Sequence, residues 1–146
     1  ESCFEDLLEA IATLELANYF VSKISPLEIK CINGSRIIFR GLDKTSKIKS
    51  FKDIDTVWIE EASEISLNAY KELKKRLRTN RLKTHLFMST NPAEPSHWIA
   101  ELIEKYTTLE NLYQDKTISV DNVNKEYTEK LFFHHSTYRD NDTDSW

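Results

Sequence analysis

The sequence predicts an α/β fold. Two short apolar runs, TVWI (56–59) and THLFMS (84–89), have the composition of strands in a buried parallel sheet. Between them Leu67, Tyr70, Leu73 and Leu77 recur at helical spacing, over about the length a parallel crossover needs. The wider order of strand, helix, strand, helix, strand is the alternation of an α/β chain.

Each element follows in turn. Phe4, Leu7, Leu8, Ile11, Leu14 and Val21 predict an amphipathic helix over residues 3 to about 22, with Ser2 and Glu5 as a capping box and Pro26 as the stop. LEIKC (27–31) and SRIIFR (35–40) flank ING (32–34), the pattern of a hairpin. Residues 41–55 are charged and weakly periodic, and read as a loop with room for one helical turn. TVWI is expected to be fully buried, with Trp58 packed between the sheet and its covering helix. Ser66 is the expected cap of the helix that follows. Ser96 is the expected cap of a third helix, whose face is Trp98, Ile99, Leu102, Ile103 and Tyr106. LYQDKTISV (112–120) and KLFFHHSTY (130–138) read as strands, and a helix over 122–131 competes with the start of the second.

Composition excludes several classes. A chain of 146 residues suits one domain and can bury a core, and 40% hydrophobic with 30% charged residues reads as globular. With 2 Gly and 3 Pro there is little material for linkers or glycine-rich phosphate loops. A net charge of −4 argues against wholesale nucleic-acid binding, while leaving room for a local basic face. That face is visible at residues 71–83, where Lys71, Lys74, Lys75, Arg76, Arg78, Arg81 and Lys83 stand against the single acid Glu72. Cys3 and Cys31 lack metal spacing and read as free thiols of a reducing cytosol. No apolar run nears the roughly 18 residues of a membrane span, so no membrane partner is expected. Both ends read as cuts in a longer protein, the first inside a helix signal without methionine and the last on TYRDNDTDSW. His85 and His97 have no HxxxH partner, and His134 and His135 would face opposite ways on a strand, so a histidine metal site is not expected.

The chemistry concentrates at two strand ends. Parallel neighbours point their carboxyl ends the same way, so Glu60-Glu61 and Ser89-Thr90-Asn91-Pro92 should share the edge where open α/β sheets bind ligands. Two adjacent carboxylates at a buried strand tip repel one another and are costly unless paired or metal-bound. One acid can hold Mg²⁺ while the other faces an attacking water, which is the acidic half of a nucleotide-hydrolysis site. Plainer readings remain open. EEASE also suits an acidic first helical turn, STNP is made of ordinary turn residues, and a basic helix end is also a solvated face.

In combination, NGSRIIFRGLDKTSKIKSFKDIDTVWIEEASE, YKELKKRLR, FMSTNPAEPSHWI and HHSTYRDN resemble the ATPase domain of phage terminase large subunits of the PBSX-like prophage group, over roughly residues 30–141. The resemblance implies a three-layer, parallel-sheet P-loop ATPase-like core that is incomplete, its first strand and phosphate loop lying before residue 1. Residues 1–141 would be part of that ATPase domain, and 142–146 a polar tail leading toward a nuclease domain. It places Glu60 as the metal carboxylate of a Walker B segment, where aspartate is more usual, and Glu61 as the catalytic base. Ser89, Thr90 and Asn91 match the coupling motif that senses the γ-phosphate. Lys49 lies where related motors place a trans-acting arginine, but it lacks the bidentate fork. Apart from the resemblance, the basic run 71–83 offers Lys74, Lys75, Arg78 and Arg81 as a contact for DNA phosphate. Tyr138, Arg139, Asp140 and Asn141 match the end-of-domain segment.

The implied cofactors are ATP and Mg²⁺. The implied partners are double-stranded viral DNA, the portal protein, the small terminase subunit and further copies in a ring. The implied place is the host bacterial cytoplasm, with transient docking on the procapsid. No GxxxxGK[ST] occurs in the chain, and neither Gly34 nor Gly41 precedes a lysine, so these residues alone are expected to bind ATP poorly. A helicase-like nucleic-acid ATPase and a non-catalytic α/β interaction module are the alternatives.

Overall fold

The computed structural model describes residues 2–42, 48–49, 51–77, 84–91, 94–123 and 128–136. Helices and strands mix along the chain, with one small parallel sheet, as the α/β reading expects. The chain divides into two compact units, Glu1–Ser50 and Phe51–Trp146.

In the first unit, helix α1 (Ser2–Thr13) lays Phe4 and Ile11 against Ile29, and Leu7, Leu8, Leu16, Phe20, Leu27 and Phe39 close around them. Phe4 meets Phe39 edge-on, with ring centroids 5.2 Å apart. The helix is shorter than expected. Glu15 turns left-handed (φ 57°) and the Leu16 N–H reaches back to the Ile11 carbonyl at 2.9 Å, the six-residue closure of a Schellman end. Residues 20–22, read from sequence as the end of the helix, instead open strand β1 (Phe20–Ile24), antiparallel to β2 (Leu27–Cys31) with Ile24 opposite Leu27. Pro26 therefore belongs to a strand–strand turn and does not stop the helix. Val21 fell on the helical spacing by coincidence and is exposed. The expected hairpin forms between β2 and β3 (Arg36–Ile38), with Ile29 opposite Ile37. Its turn is set by Gly34 at φ 91° and by Asn33 Oδ1, which accepts from the Ser35 N–H at 2.8 Å.

In the second unit, β4 (Thr56–Ile59) and β5 (His85–Met88) run parallel in the register Thr56–His85 to Ile59–Met88. Helix α2 (Leu67–Arg76) lies between them in sequence and is capped by Ser66, whose Oγ accepts from the Ala69 N–H at 3.2 Å, as expected. The sheet is not buried on both faces. Ile59 is buried and Val57, Leu86 and Met88 are half-buried, whereas Thr56, Trp58, His85 and Phe87 face outward. Trp58 is 70% exposed and Phe87 50%, so the expected packing of Trp58 under a helix is wrong; its nearest aromatic neighbour is Phe87, with centroids 6.1 Å apart. The period-2 alternation of a strand decides this, and a four-residue apolar run is too short to reveal it. Trp98 is buried as expected and stacks on Tyr70 at 4.8 Å.

Helix α3 (Trp98–Glu104) begins one residue later than expected, because His97 and not Ser96 caps it: Nδ1 accepts from the Ile99 N–H at 3.3 Å. The expected strand at 112–120 is half helix. Thr108 Oγ1 accepts from the Asn111 N–H at 3.1 Å and starts α4 (Leu109–Asp115), which buries Leu112 and ends where Lys116 adopts φ 56°. Strand β6 (Thr117–Val123) then pairs antiparallel with β7 (Thr128–His134), Thr117 opposite His134, so the described part of 122–131 is strand and the competing helix is excluded there. No helix among the described residues is long and apolar enough to cross a membrane.

Candidate functional site

The parallel pair brings the two polar strand ends together. Past the last paired residues the Ser89 N–H donates to the Ile59 carbonyl at 3.0 Å, and the Ala62 N–H donates to the Ser89 carbonyl at 2.8 Å. Glu60 and Glu61 are thus bridged by backbone to Ser89, and Thr90 and Asn91 follow on the same edge. Glu60 is exposed, and Trp58 Nε1–H donates to its Oε2 at 2.9 Å, as residues two apart on a strand can. Glu61 has left-handed backbone (φ 50°, ψ 53°), which turns the chain off the strand into a short 3-10 turn, Ala62–Glu64. That conformation costs a residue with a Cβ about 1–2 kcal/mol, and such strain clusters at functional positions. Thr90 Oγ1 donates to the Asn91 carbonyl at 2.9 Å. Ser89 Oγ is buried with no hydrogen-bond partner among the described residues, an orphan polar atom beside the acid pair.

Two residues to which sequence reasoning gave no role at this edge support it. Trp98 Nε1–H donates to the Ile65 carbonyl at 2.9 Å, and His97 Nε2 lies 3.2 Å from the Ser63 carbonyl. A carbonyl only accepts, so the His97 proton is on Nε2, which leaves Nδ1 bare to accept from Ile99. The available signal was a polar and an aromatic N–H side by side at a helix start.

The donor set suits Mg²⁺ in its usual mode, with one or two carboxylates and the remaining positions on substrate phosphate and water. Glu60, Glu61 and the orphan Ser89 hydroxyl are of that kind, and no group of three or more His, Cys, Asp or Glu forms an all-protein cage among the described residues. His134 Nδ1 is 2.9 Å from Thr117 Oγ1, and the His135 ring lies edge-on to Tyr113 at 4.7 Å.

Lys49 is exposed and belongs to the first unit, while the acid pair belongs to the second. On α2, Lys75 Nζ bonds Glu72 Oε1 at 2.7 Å, Arg76 lies 3.8 Å from the other Glu72 oxygen, and Lys74 Nζ stands 5.8 Å from the Tyr70 ring centre. Arg78, Arg81 and the segment Tyr138 to Asn141 lie outside the described residues.

Comparison with known proteins points one way. The family model described as phage terminase large subunit matches residues 1–145. The chain is 36% identical over 148 aligned residues to the PBSX phage terminase large subunit of Bacillus subtilis (strain 168), covering 97% of the chain and 32% of that protein. It is 44% identical over 69 residues to the terminase large subunit of Bacillus phage SPP1, covering 44% of the chain and 16% of that protein. The chain therefore spans about a third or less of these relatives. No solved structure matches it significantly.

Proposed function

The chain belongs to the phage terminase large subunit family, and on that premise we propose that it is part of the ATP-hydrolysing motor that moves double-stranded viral DNA into a capsid. The observation that carries the proposal is the bonded pair of strand tips, one bearing Glu60 and Glu61 and the other Ser89, Thr90 and Asn91. In this reading the segment 56–61 is the Walker B strand of a P-loop ATPase core. Glu61 orients a water against the γ-phosphate and accepts its proton as the new P–O bond forms and ADP leaves. Glu60, whose Oε2 accepts from the Trp58 indole, would hold the metal directly or through water. Bound Mg²⁺ supplies charge neutralisation at the β- and γ-phosphates. Thr90 and Asn91 sense whether the γ-phosphate is present, and the Ser89 hydroxyl, without a hydrogen-bond partner among the described residues, is a donor in reserve for it.

The chain has no GxxxxGK[ST], so the β- and γ-phosphate cradle comes from elsewhere in a longer protein. Partners in this reading are the portal protein, the small terminase subunit, viral DNA and further copies in a ring, at a procapsid in the host bacterial cytoplasm. Lys49 is a candidate cation acting on a neighbouring copy, and Lys74, Lys75, Arg78 and Arg81 a candidate DNA contact.

The test is magnesium-dependent ATP hydrolysis by the full-length protein. Glu61→Gln is expected to lower kcat by about a hundredfold or more with little change in nucleotide affinity, and Glu60→Ala to raise the magnesium requirement. Wild-type turnover in both variants would refute the assignment and leave an interaction module as the better reading.

A further inference from the structure

The chain between β5 and α3 touches the turn after Glu61 at both of its ends. At the near end Ser89 exchanges backbone hydrogen bonds with Ile59 and Ala62. At the far end His97 reaches the Ser63 carbonyl and Trp98 the Ile65 carbonyl. Three successive points of residues 62–65 are therefore gripped by one segment, and that segment also carries Thr90 and Asn91. Glu61 stands immediately before the gripped turn in a backbone conformation that its own Cβ disfavours. A strained residue persists only where its surroundings over-determine it. The ring of Trp98 is buried against Tyr70, so its N–H is aimed by packing and not by chance rotation. Because His97 caps α3 through Nδ1 and bonds Ser63 through Nε2, its ring has one tautomer and one orientation that satisfy both.

From this geometry we propose that His97 and Trp98 are positioning residues: a two-point clasp that holds the Ala62–Ile65 turn and so fixes where Glu61 presents its carboxylate. The consequence for function rests on the reading of Glu61 given above. It also links the coupling residue Ser89 to the turn that follows the acid, since Ser89 and His97 each hydrogen-bond that turn directly.

The experiment uses the full-length protein with two conservative variants. Trp98→Phe keeps an aromatic ring against Tyr70 and removes the N–H. His97→Asn keeps a good helix cap but is too short to reach Ser63. Both are expected to speed amide exchange at Ala62–Ile65 while leaving α2 and α3 protected. Both are expected to lower kcat for ATP by about tenfold, since a small misplacement of a reacting group has effects of this order, with KM within twofold of wild type. Turnover within twofold of wild type in both variants would overturn the proposal. So would loss of turnover that merely tracks the unfolded fraction and returns on cooling. If Glu61→Gln itself proves fully active, the catalytic reading has failed, and exchange decides the clasp alone: faster exchange in the turn upholds it, and unchanged exchange overturns it.

Discussion

At the scale of single residues, Glu61 is the most informative position. Its side chain is exposed, yet its backbone occupies the left-handed region that glycine occupies freely. Glu61→Gly removes the Cβ clash and adds some unfolded-state freedom, so the chain is expected to gain roughly 0.5–1 kcal/mol in urea denaturation while losing the acid. A loss of stability would mean that the glutamate side chain contributes more than its backbone strain. The paired acids were legible in the sequence because two carboxylates close an apolar run; both prove exposed, so the expected cost of burying them does not arise. The strain at Glu61 was not legible, since nothing in EEASE requires a left-handed residue. Nor was the hydrogen bond from Trp58 to Glu60, because an apolar run gives no hint of which face stays in water. The hydrogen bonds of His97 and Trp98 were not legible for a further reason: their partners are backbone carbonyls more than thirty residues earlier in sequence, and carbonyls have no sequence signature.

At the scale of elements, local signals worked where a cap and a stripe agreed. Ser66 and the Leu67–Tyr70–Leu73 spacing gave α2, and two apolar runs flanking Asn33-Gly34 gave the β2–β3 hairpin. They failed where a period extended through a break. Val21 continued the stripe of α1 past the Schellman end at Glu15, and the apolar content of 112–120 hid the Thr108 cap of α4. Helix α2 also carries the described start of the basic run, Lys71 to Arg76, and its geometry refines what those residues can do. Glu72 pairs with Lys75 and approaches Arg76, and surface pairs of this kind are weak, so both cations stay available to an anion. If this helix end binds DNA phosphate, replacing Lys74 and Lys75 with Glu together should weaken binding across all sequences. It should also flatten the slope of log affinity against log salt by about 2, near 0.9 for each phosphate that is no longer neutralised. An unchanged salt slope would assign the run to a solvated face.

At the scale of the whole molecule, the sequence revealed the parallel pair and its shared edge, which is the part of the fold that organises the candidate site. It did not reveal the division into two units, because the charged stretch 41–55 that spans the boundary reads equally as a loop within one domain. On the function proposed above, the acids and the hydroxyl–amide tip would be half of a phosphate-handling site, and these 146 residues hold no glycine-rich loop. These residues on their own should therefore hydrolyse ATP at background, measured as phosphate release with and without magnesium. Turnover above background that Glu61→Gln abolishes would show that some other part of the chain cradles the phosphates.

The outward face of the parallel pair has a colloidal consequence. Trp58 and Phe87 present an indole and a phenyl ring side by side to solvent, on strands with no further neighbours among the described residues. Such a surface templates association with another chain. Repulsion between copies rests on a net charge of −4, and its reach falls from about 10 Å at 0.1 M ionic strength to about 3 Å at 1 M. Brine should therefore drive this polypeptide to clump, and dilute buffer should keep it dispersed.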